Sequence, residues 1–151
     1  MTKPFSQACD NNKQPILEII SRVFAKRKNV LEIGSGTGQH GVYLAKSLPF
    51  LTWQTSDLLI NHEGINQWID DNPTPNIRRP ISLDLAAVEL LVENIDAVFS
   101  ANTLHIISWP LVQNFFDLVE KHLIENGVLC IYGPFNYQGK YTSESNANFD
   151  L

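Results

Sequence analysis

Val30-Leu-Glu-Ile-Gly-Ser-Gly-Thr-Gly-Gln-His-Gly41 is the stretch that decides the fold. Val30, Leu31 and Ile33 form a β-branched and aliphatic run that reads as a buried strand. Gly34, Gly36 and Gly38 then carry the backbone through a tight turn into a helix that opens near Gln39. A loop without Cβ atoms lets a ligand approach the main chain, and a helix start offers N–H groups to an anionic group. The segment therefore predicts a ligand site at the end of a strand.

The kind of ligand follows from the residues between the glycines. A dinucleotide fold places G-x-G-x-x-G directly after the strand, with the pyrophosphate on the helix N-terminus. Counted from Gly34, the sixth position is Gln39, and the pattern fails. Counted from Gly36, the frame Gly36-Thr-Gly-Gln-His-Gly41 fits, but it starts late for the turn. Glu32 adds a carboxylate inside the strand, which would repel a pyrophosphate and tolerate a ligand carrying an ammonium group, such as S-adenosyl-L-methionine (SAM).

Glu32-Ile-Gly-Ser-Gly-Thr-Gly38 resembles the E/D-x-G-x-G-x-G loop of class I SAM-dependent methyltransferases. The resemblance implies that Gly34, Ser35, Gly36 and Gly38 line the methionine half of SAM, and that Glu32 orders the loop or meets the amino group. Further stretches are similar to a family of small methyltransferase-like proteins of bacteria and animals, catalogued as a domain of unknown function. They are Pro4-Phe-Ser6, Asn12, Gln14-Pro-Ile-Leu-Glu18, Ser56-Asp57, Asn61-His-Glu-Gly64, Phe99-Ser-Ala-Asn-Thr-Leu-His105, Tyr132-Gly-Pro-Phe-Asn-Tyr137 and Tyr141-Thr-Ser-Glu-Ser-Asn146. That similarity covers nearly the whole chain and implies SAM as cofactor without giving a substrate.

With 151 residues, a single SAM-binding domain spanning 1–151 is expected. Eleven basic against 16 acidic residues give a net charge of −5, a poor footprint for nucleic acid, so a small molecule or a protein side chain is the expected methyl acceptor. Cys9 and Cys130 stand far apart without metal-ligand spacing, which predicts reduced thiols in a cytoplasmic protein and no metal site. No apolar run approaches the ~18 residues of a membrane span.

Outward from the glycine loop, residues 3–14 read as polar and irregular, and Pro15 reads as the opening of a helix with Ile16, Leu17, Ile19, Ile20, Val23 and Phe24 at helical spacing. The helix after the loop spans about Gln39 to Ser47, and a strand at Leu51 to Thr55 runs on to Asp57. Ile65, Trp68 and Ile69 share a helical face, and Asn72-Pro-Thr-Pro75 breaks the chain before a short strand around Pro80 to Leu83. Residues 85–93 suggest a helix, and Ile95 to Ser100 a buried strand. Ser108 and Pro110 start a helix whose apolar face is Leu111, Val112, Phe115, Phe116, Leu118, Val119 and Leu123, and Val128 to Tyr132 is the last strand.

Alternating strands and helices predict an α/β fold with a mostly parallel sheet and a site at the strands' C-terminal ends. Resemblance to the class I methyltransferase fold, which is Rossmann-like, implies five strands in the order 3-2-1-4-5. The last two strands of that fold are expected to be missing, because relatives continue past the position of Leu151 and the chain reads as truncated. An open fifth-strand edge would then invite a homodimer.

Candidate site residues follow the strand ends. Asp57, about 20 residues beyond the glycines, suits both ribose hydroxyls of a nucleoside, or is a strand-end turn residue. Asp84 and Leu85 fall where the resemblance places adenine, although an Asp in that place also serves as a helix N-cap. Asn102 lies where cofactor and acceptor would meet, or forms an Asx-turn. His105 is a candidate general base with a structural alternative, and His40 reads as helix packing. Tyr132 reads as packing, while Tyr137 and Tyr141 are candidates for an aromatic wall of the acceptor pocket.

The leading expectation is a SAM-dependent methyltransferase. An NAD-dependent oxidoreductase is the alternative carried by the Gly36 to Gly41 frame. A non-catalytic interaction module with the same fold is the alternative carried by the missing strands.

Overall fold

The computed structural model describes residues 3–87, 92–103, 106–137 and 140–150, with side chains described through residue 133. Its elements are α1 (Gln7–Val23), β1 (Asn29–Glu32), α2 (Gln39–Ser47), β2 (Thr52–Asp57), α3 (His62–Asp71), β3 (Ile77–Ser82), β4 (Ile95–Ala101), α4 (Trp109–His122), β5 (Leu123–Tyr137) and β6 (Lys140–Asp150). Five parallel strands lie in the order 3-2-1-4-5, as expected, and β6 adds itself antiparallel to β5.

Both faces of the central strands are covered, which explains why they read as continuous apolar runs rather than alternating ones. Val30, Trp53, Ala97, Phe99, Val128 and Cys130 pack on one face against Ile16, Ile20 and Phe24 of α1 and Leu44 and Ala45 of α2. Leu31, Ile33, Val98, Leu129 and Ile131 pack on the other against Phe115, Leu118 and Val119 of α4. The order reverses between β1 and β4, and the crevice at such a switch point is where open α/β sheets bind ligands. The glycine loop leaves β1 at that crevice.

Three expectations are corrected. The first helix starts at Gln7, not Pro15: Ser6 is its N-cap, with the Ser6 Oγ accepting the Cys9 N–H at 3.2 Å, and Pro15 sits inside the helix. Proline lacks one helical N–H, but burial of Ile16, Ile20 and Phe24 down one face holds the helix through that position. The strand expected at Val128 to Tyr132 is β5, 15 residues long and not the last, since β6 pairs with it from Val128↔Asp150 to Tyr137↔Lys140. The fifth strand's edge is therefore covered by the chain's own tail, and the open edge expected to receive a second copy is absent there. Finally, β3 starts at Ile77; Pro80 is tolerated within it because β3 is the sheet edge. The expected helix over 85–93 falls in part on residues outside those described, and its flanks at 85–87 and 92–94 are not helical.

Candidate cofactor-binding site

All three loop glycines adopt positive φ: 77° at Gly34, 60° at Gly36 and 95° at Gly38. Such angles disfavour any side chain, so the glycines shape the turn itself. At Gly34 a Cβ would also lie 2.5 Å from Thr103 Oγ1 of the segment after β4, whereas at Gly36 it would meet open space. The loop thus seats against the β4 end at Gly34 and presents open backbone at Gly36.

Glu32 lies beneath this loop with 1 % of its surface exposed. Its Oε1 accepts the Ser35 hydroxyl at 2.8 Å and the Trp53 indole N–H at 3.1 Å. Burial pushes the carboxyl up to about 7, against the lowering effect of those two donors. Ser35 continues the network: its Oγ accepts the Ser56 N–H at 3.0 Å, and its N–H reaches the Ser56 carbonyl at 2.8 Å. Gly41, the last glycine of the dinucleotide-like frame, has a different task. A Cβ there would lie 2.9 Å from Glu32 Oε1 and 3.2 Å from Trp53 Nε1, so this glycine lets α2 pass over the buried carboxyl.

Asp57 closes the far side. One carboxylate oxygen accepts the Gly36 N–H at 2.7 Å, and the other accepts the Leu58 N–H at 2.6 Å and the Asn61 amide at 2.9 Å. The carboxylate thereby links the glycine loop to the 3-10 turn Leu59–Asn61. Asp84 forms a turn, accepting the Ala86 N–H at 2.9 Å, and the Leu85 carbonyl accepts the Asn114 amide of α4 at 2.7 Å. Asn102 has φ 58° and donates its N–H to the Tyr132 carbonyl at 2.8 Å. The Gln39 N–H, expected to face a ligand, is taken by Thr37 Oγ1 at 3.2 Å.

These segments surround a cavity of about 780 Å³. Gly34, Ser35, Gly36, Asp57, Asp84, Leu85 and Asn102 all line it, joined by His40. Glu32 and Gly38 stand outside the lining, so Glu32 acts on the loop from below. His105 lies outside the described residues. Tyr137 ends β5 and Tyr141 lies near the start of β6, where side chains are not described.

Sequence reasoning missed one wall. Ser6, Ala8 and Cys9 of the first turn of α1 line the cavity because a reciprocal pair docks them on the loop helix: Gln39 Oε1 accepts the Ser6 N–H at 2.5 Å, and Gln39 Nε2 donates to the Ser6 carbonyl at 3.1 Å. The segment ahead of it is held by the Trp68 indole N–H, which donates to the Pro4 carbonyl at 2.6 Å, and by Gly64, where a Cβ would lie 2.6 Å from Pro4 Cγ. Ser6 as an N-cap was the available signal, and Pro15 concealed it. His40, 5 % exposed, sets Nε2 2.7 Å from Asn12 Oδ1, stacks edge-on to Phe99, and is held down at about 4 by burial. Burial also raises the Cys9 thiol, and pushes that of Cys130, inside the sheet, to about 12.

Among the described residues no group of His, Cys, Asp and Glu could hold a metal, and no helix is long and apolar enough to cross a membrane. The family model described as "Protein of unknown function (DUF938)" matches residues 3–151. Solved structures share the fold at low identity. An S-adenosylmethionine-dependent methyltransferase, SibL, in its apo form superposes with a TM-score of 0.76 at 18 % identity over 87 % of this chain and 38 % of its own. An O-methyltransferase family protein from Burkholderia thailandensis gives 0.69 at 20 % over 85 % and 40 %, and the glycopeptide N-methyltransferase MtfA, complexed with SAM, gives 0.69 at 12 % over 91 % and 66 %. The chain spans about two fifths of the length of the first two. The shared fold is that of class I SAM-dependent methyltransferases.

Proposed function

We propose that this chain, which belongs to the family described as "Protein of unknown function (DUF938)", binds SAM in the cavity at the end of β1 and transfers its methyl group to a small-molecule or protein acceptor. The observation that carries this reading is the charge of the cavity wall. Its charged side chains among the described residues are Asp57 and Asp84, with no lysine or arginine. A pyrophosphate would meet carboxylates without a countercharge, while a ligand bearing ammonium and sulfonium groups is favoured. The fold shared with SAM-dependent enzymes supports the same cofactor, and the steric task of Gly41 removes the main argument for a dinucleotide.

In this reading the open backbone at Gly36 and the neighbouring Gly34 and Ser35 receive the methionine portion, Asp57 accepts the ribose hydroxyls, and Asp84 and Leu85 hold the adenine edge and face. Glu32 keeps the loop in shape through Ser35. In that place bound SAM would supply an electrophilic methyl group on a sulfonium, which the acceptor's lone pair would take while the carbon–sulfur bonding electrons stay on sulfur as S-adenosylhomocysteine. Asn102, pinned by the Tyr132 carbonyl, positions the acceptor beside the methyl group. Holding the reacting atoms in line is the chief catalytic contribution. His105 is the proposed general base where the acceptor loses a proton. Two cysteines far apart in sequence support a cytoplasmic location, and the acidic net charge argues against a nucleic acid acceptor.

Calorimetric titration with S-adenosylhomocysteine tests the proposal. Saturable binding at micromolar strength or tighter is expected, with no binding of NADH. Binding of NADH in its place would overturn the reading.

A further inference from the structure

We propose that a cavity at the N-terminal ends of β1 and β2 binds a small molecule joining a phosphate group to a planar ring, the chemistry of a nucleoside phosphate. The cavity holds about 570 Å³, and Lys26, Arg27, Lys28, Asn29, Phe50 and Thr52 stand in its wall. Asn29 opens β1 and Thr52 opens β2, whereas the glycine loop leaves the other end of β1. The two cavities share no lining residue, so this site is separate from the cofactor site.

Three consecutive cations meet at this wall, and among the described residues no carboxylate lines it, in a chain whose net charge is −5. The ion pairs among the described residues are Lys3 with Asp71, Lys13 with Asp10 and Arg79 with Asp70, which leaves Lys26, Arg27 and Lys28 without a carboxylate partner. Asp96 comes close but is turned to the backbone, accepting the Lys28 N–H at 2.9 Å and the Asn29 N–H at 2.8 Å. Service to the helix dipole does not explain the cations either. That effect fades beyond the last turn, where Arg22 stands, and Lys26 to Lys28 follow the last helical residue, Val23.

The segment is also tied down. The Arg27 N–H donates to the Phe24 carbonyl at 2.9 Å, the Arg27 Nη1 to the Asn126 carbonyl at 3.0 Å, and the Thr52 N–H to the Lys28 carbonyl at 2.7 Å. Like charges held together repel until an anion joins them. The Arg27 Nε is buried without a hydrogen-bond partner, a donor that the protein leaves over. A guanidinium between two ammonium groups suits a phosphate, which accepts several charged donors at once. Phe50 supplies the second half of the ligand's chemistry: it is 49 % exposed on the same wall, and a planar ring stacks on such a face.

The test is calorimetric titration of the full chain with uridine diphosphate, uridine and inorganic pyrophosphate, each with and without S-adenosylhomocysteine. Uridine diphosphate is expected to bind at least about tenfold more tightly than uridine, the scale of hydrogen bonds to charged groups. It is expected to bind at least about fivefold more tightly than pyrophosphate, the scale of one stacked base. The Lys26→Gln, Lys28→Gln double variant, altered only at exposed positions, should lose at least about tenfold in affinity for uridine diphosphate, and Phe50→Ala at least about fivefold, with S-adenosylhomocysteine affinity unchanged in both. Uridine or pyrophosphate binding as tightly as the diphosphate, or an unchanged double variant, would overturn the proposal. Competition between uridine diphosphate and S-adenosylhomocysteine would place the nucleotide in the other cavity and overturn it as well.

Discussion

Replacing Glu32 by glutamine should change how the stability of this protein depends on pH, and the size of the change follows from the buried carboxyl. Burial raises Glu32 from 4.5 to about 7 in the folded chain. A carboxyl raised on folding destabilises the fold wherever the unfolded chain is ionised and the folded one is not. The cost is absent below pH 4.5, grows between 4.5 and 7, and is fully present above. At about 1.4 kcal/mol for each pKa unit, it reaches about 3 kcal/mol. Glutamine keeps an acceptor for Ser35 and Trp53 without the charge. The difference in unfolding free energy, Glu32→Gln minus wild type, should therefore rise by about 3 kcal/mol from pH 4.5 to pH 8. His40 provides the mirror image. Its imidazole falls from 6.5 to about 4, so the fold is unburdened above pH 6.5 and loses stability as pH drops towards 4. The His40→Gln difference should rise in the opposite direction, from pH 7 down to pH 4. The wild type, carrying both groups, should show these two slopes largely offsetting one another between pH 4.5 and 7. Urea unfolding followed by circular dichroism at half-unit pH steps measures all three. A Glu32→Gln difference that stays constant with pH would refute the account of a carboxyl neutralised under the loop.

Gly34→Ala and Gly36→Ala both place a side chain at positive φ, at about 1–2 kcal/mol each, but only the first also meets Thr103, so it should lower the melting temperature further; equal shifts would contradict the seating of the loop on the β4 end. Asp57→Ala should weaken S-adenosylhomocysteine at least about tenfold, the scale of a lost hydrogen bond to a charged group, and unchanged affinity in titration would remove the ribose assignment. Cys130 should stay unreactive towards Ellman's reagent at pH 8 until denaturant is added, since its thiol is pushed to about 12; rapid native labelling of two thiols per chain would show the sheet to be open there.

The parts legible in the sequence are those where backbone chemistry permits few alternatives. Three glycines after an aliphatic strand left little choice for residues 30–41, and α2 spans the residues expected of it. Ser108 with Pro110 announced the start of α4, although the Ser108 side chain makes no capping bond. The misread elements depend on partners distant in sequence. Residues 7–14 are polar and carry no apolar period, and their helix is fixed by Gln39 and by the Ser6 cap. The strand β6 carries the polar run Thr142-Ser-Glu-Ser-Asn146, and only its short end Ala147-Asn-Phe-Asp150 alternates, too little for a period-two reading, so pairing with β5 defines it. At the site, Asp57 was visible by its spacing from the glycines, but its bond to Gly36 was not, because a hydrogen bond across two strand ends leaves no periodic trace.

The docking of the first turn of α1 also bears on the order in which the molecule assembles. In chain order residues 3–9 come first, yet the groups that hold them come much later: Gln39 lies 33 positions beyond Ser6, and Trp68 lies 64 beyond Pro4. Contacts over such separations close only after the intervening chain has been collected, so they slow folding relative to local helix formation. During synthesis the nascent segment therefore has neither the glycine loop nor α3 to rest on until residue 68 has cleared the ribosome. The wall of the pocket that is made first waits for partners that are made later.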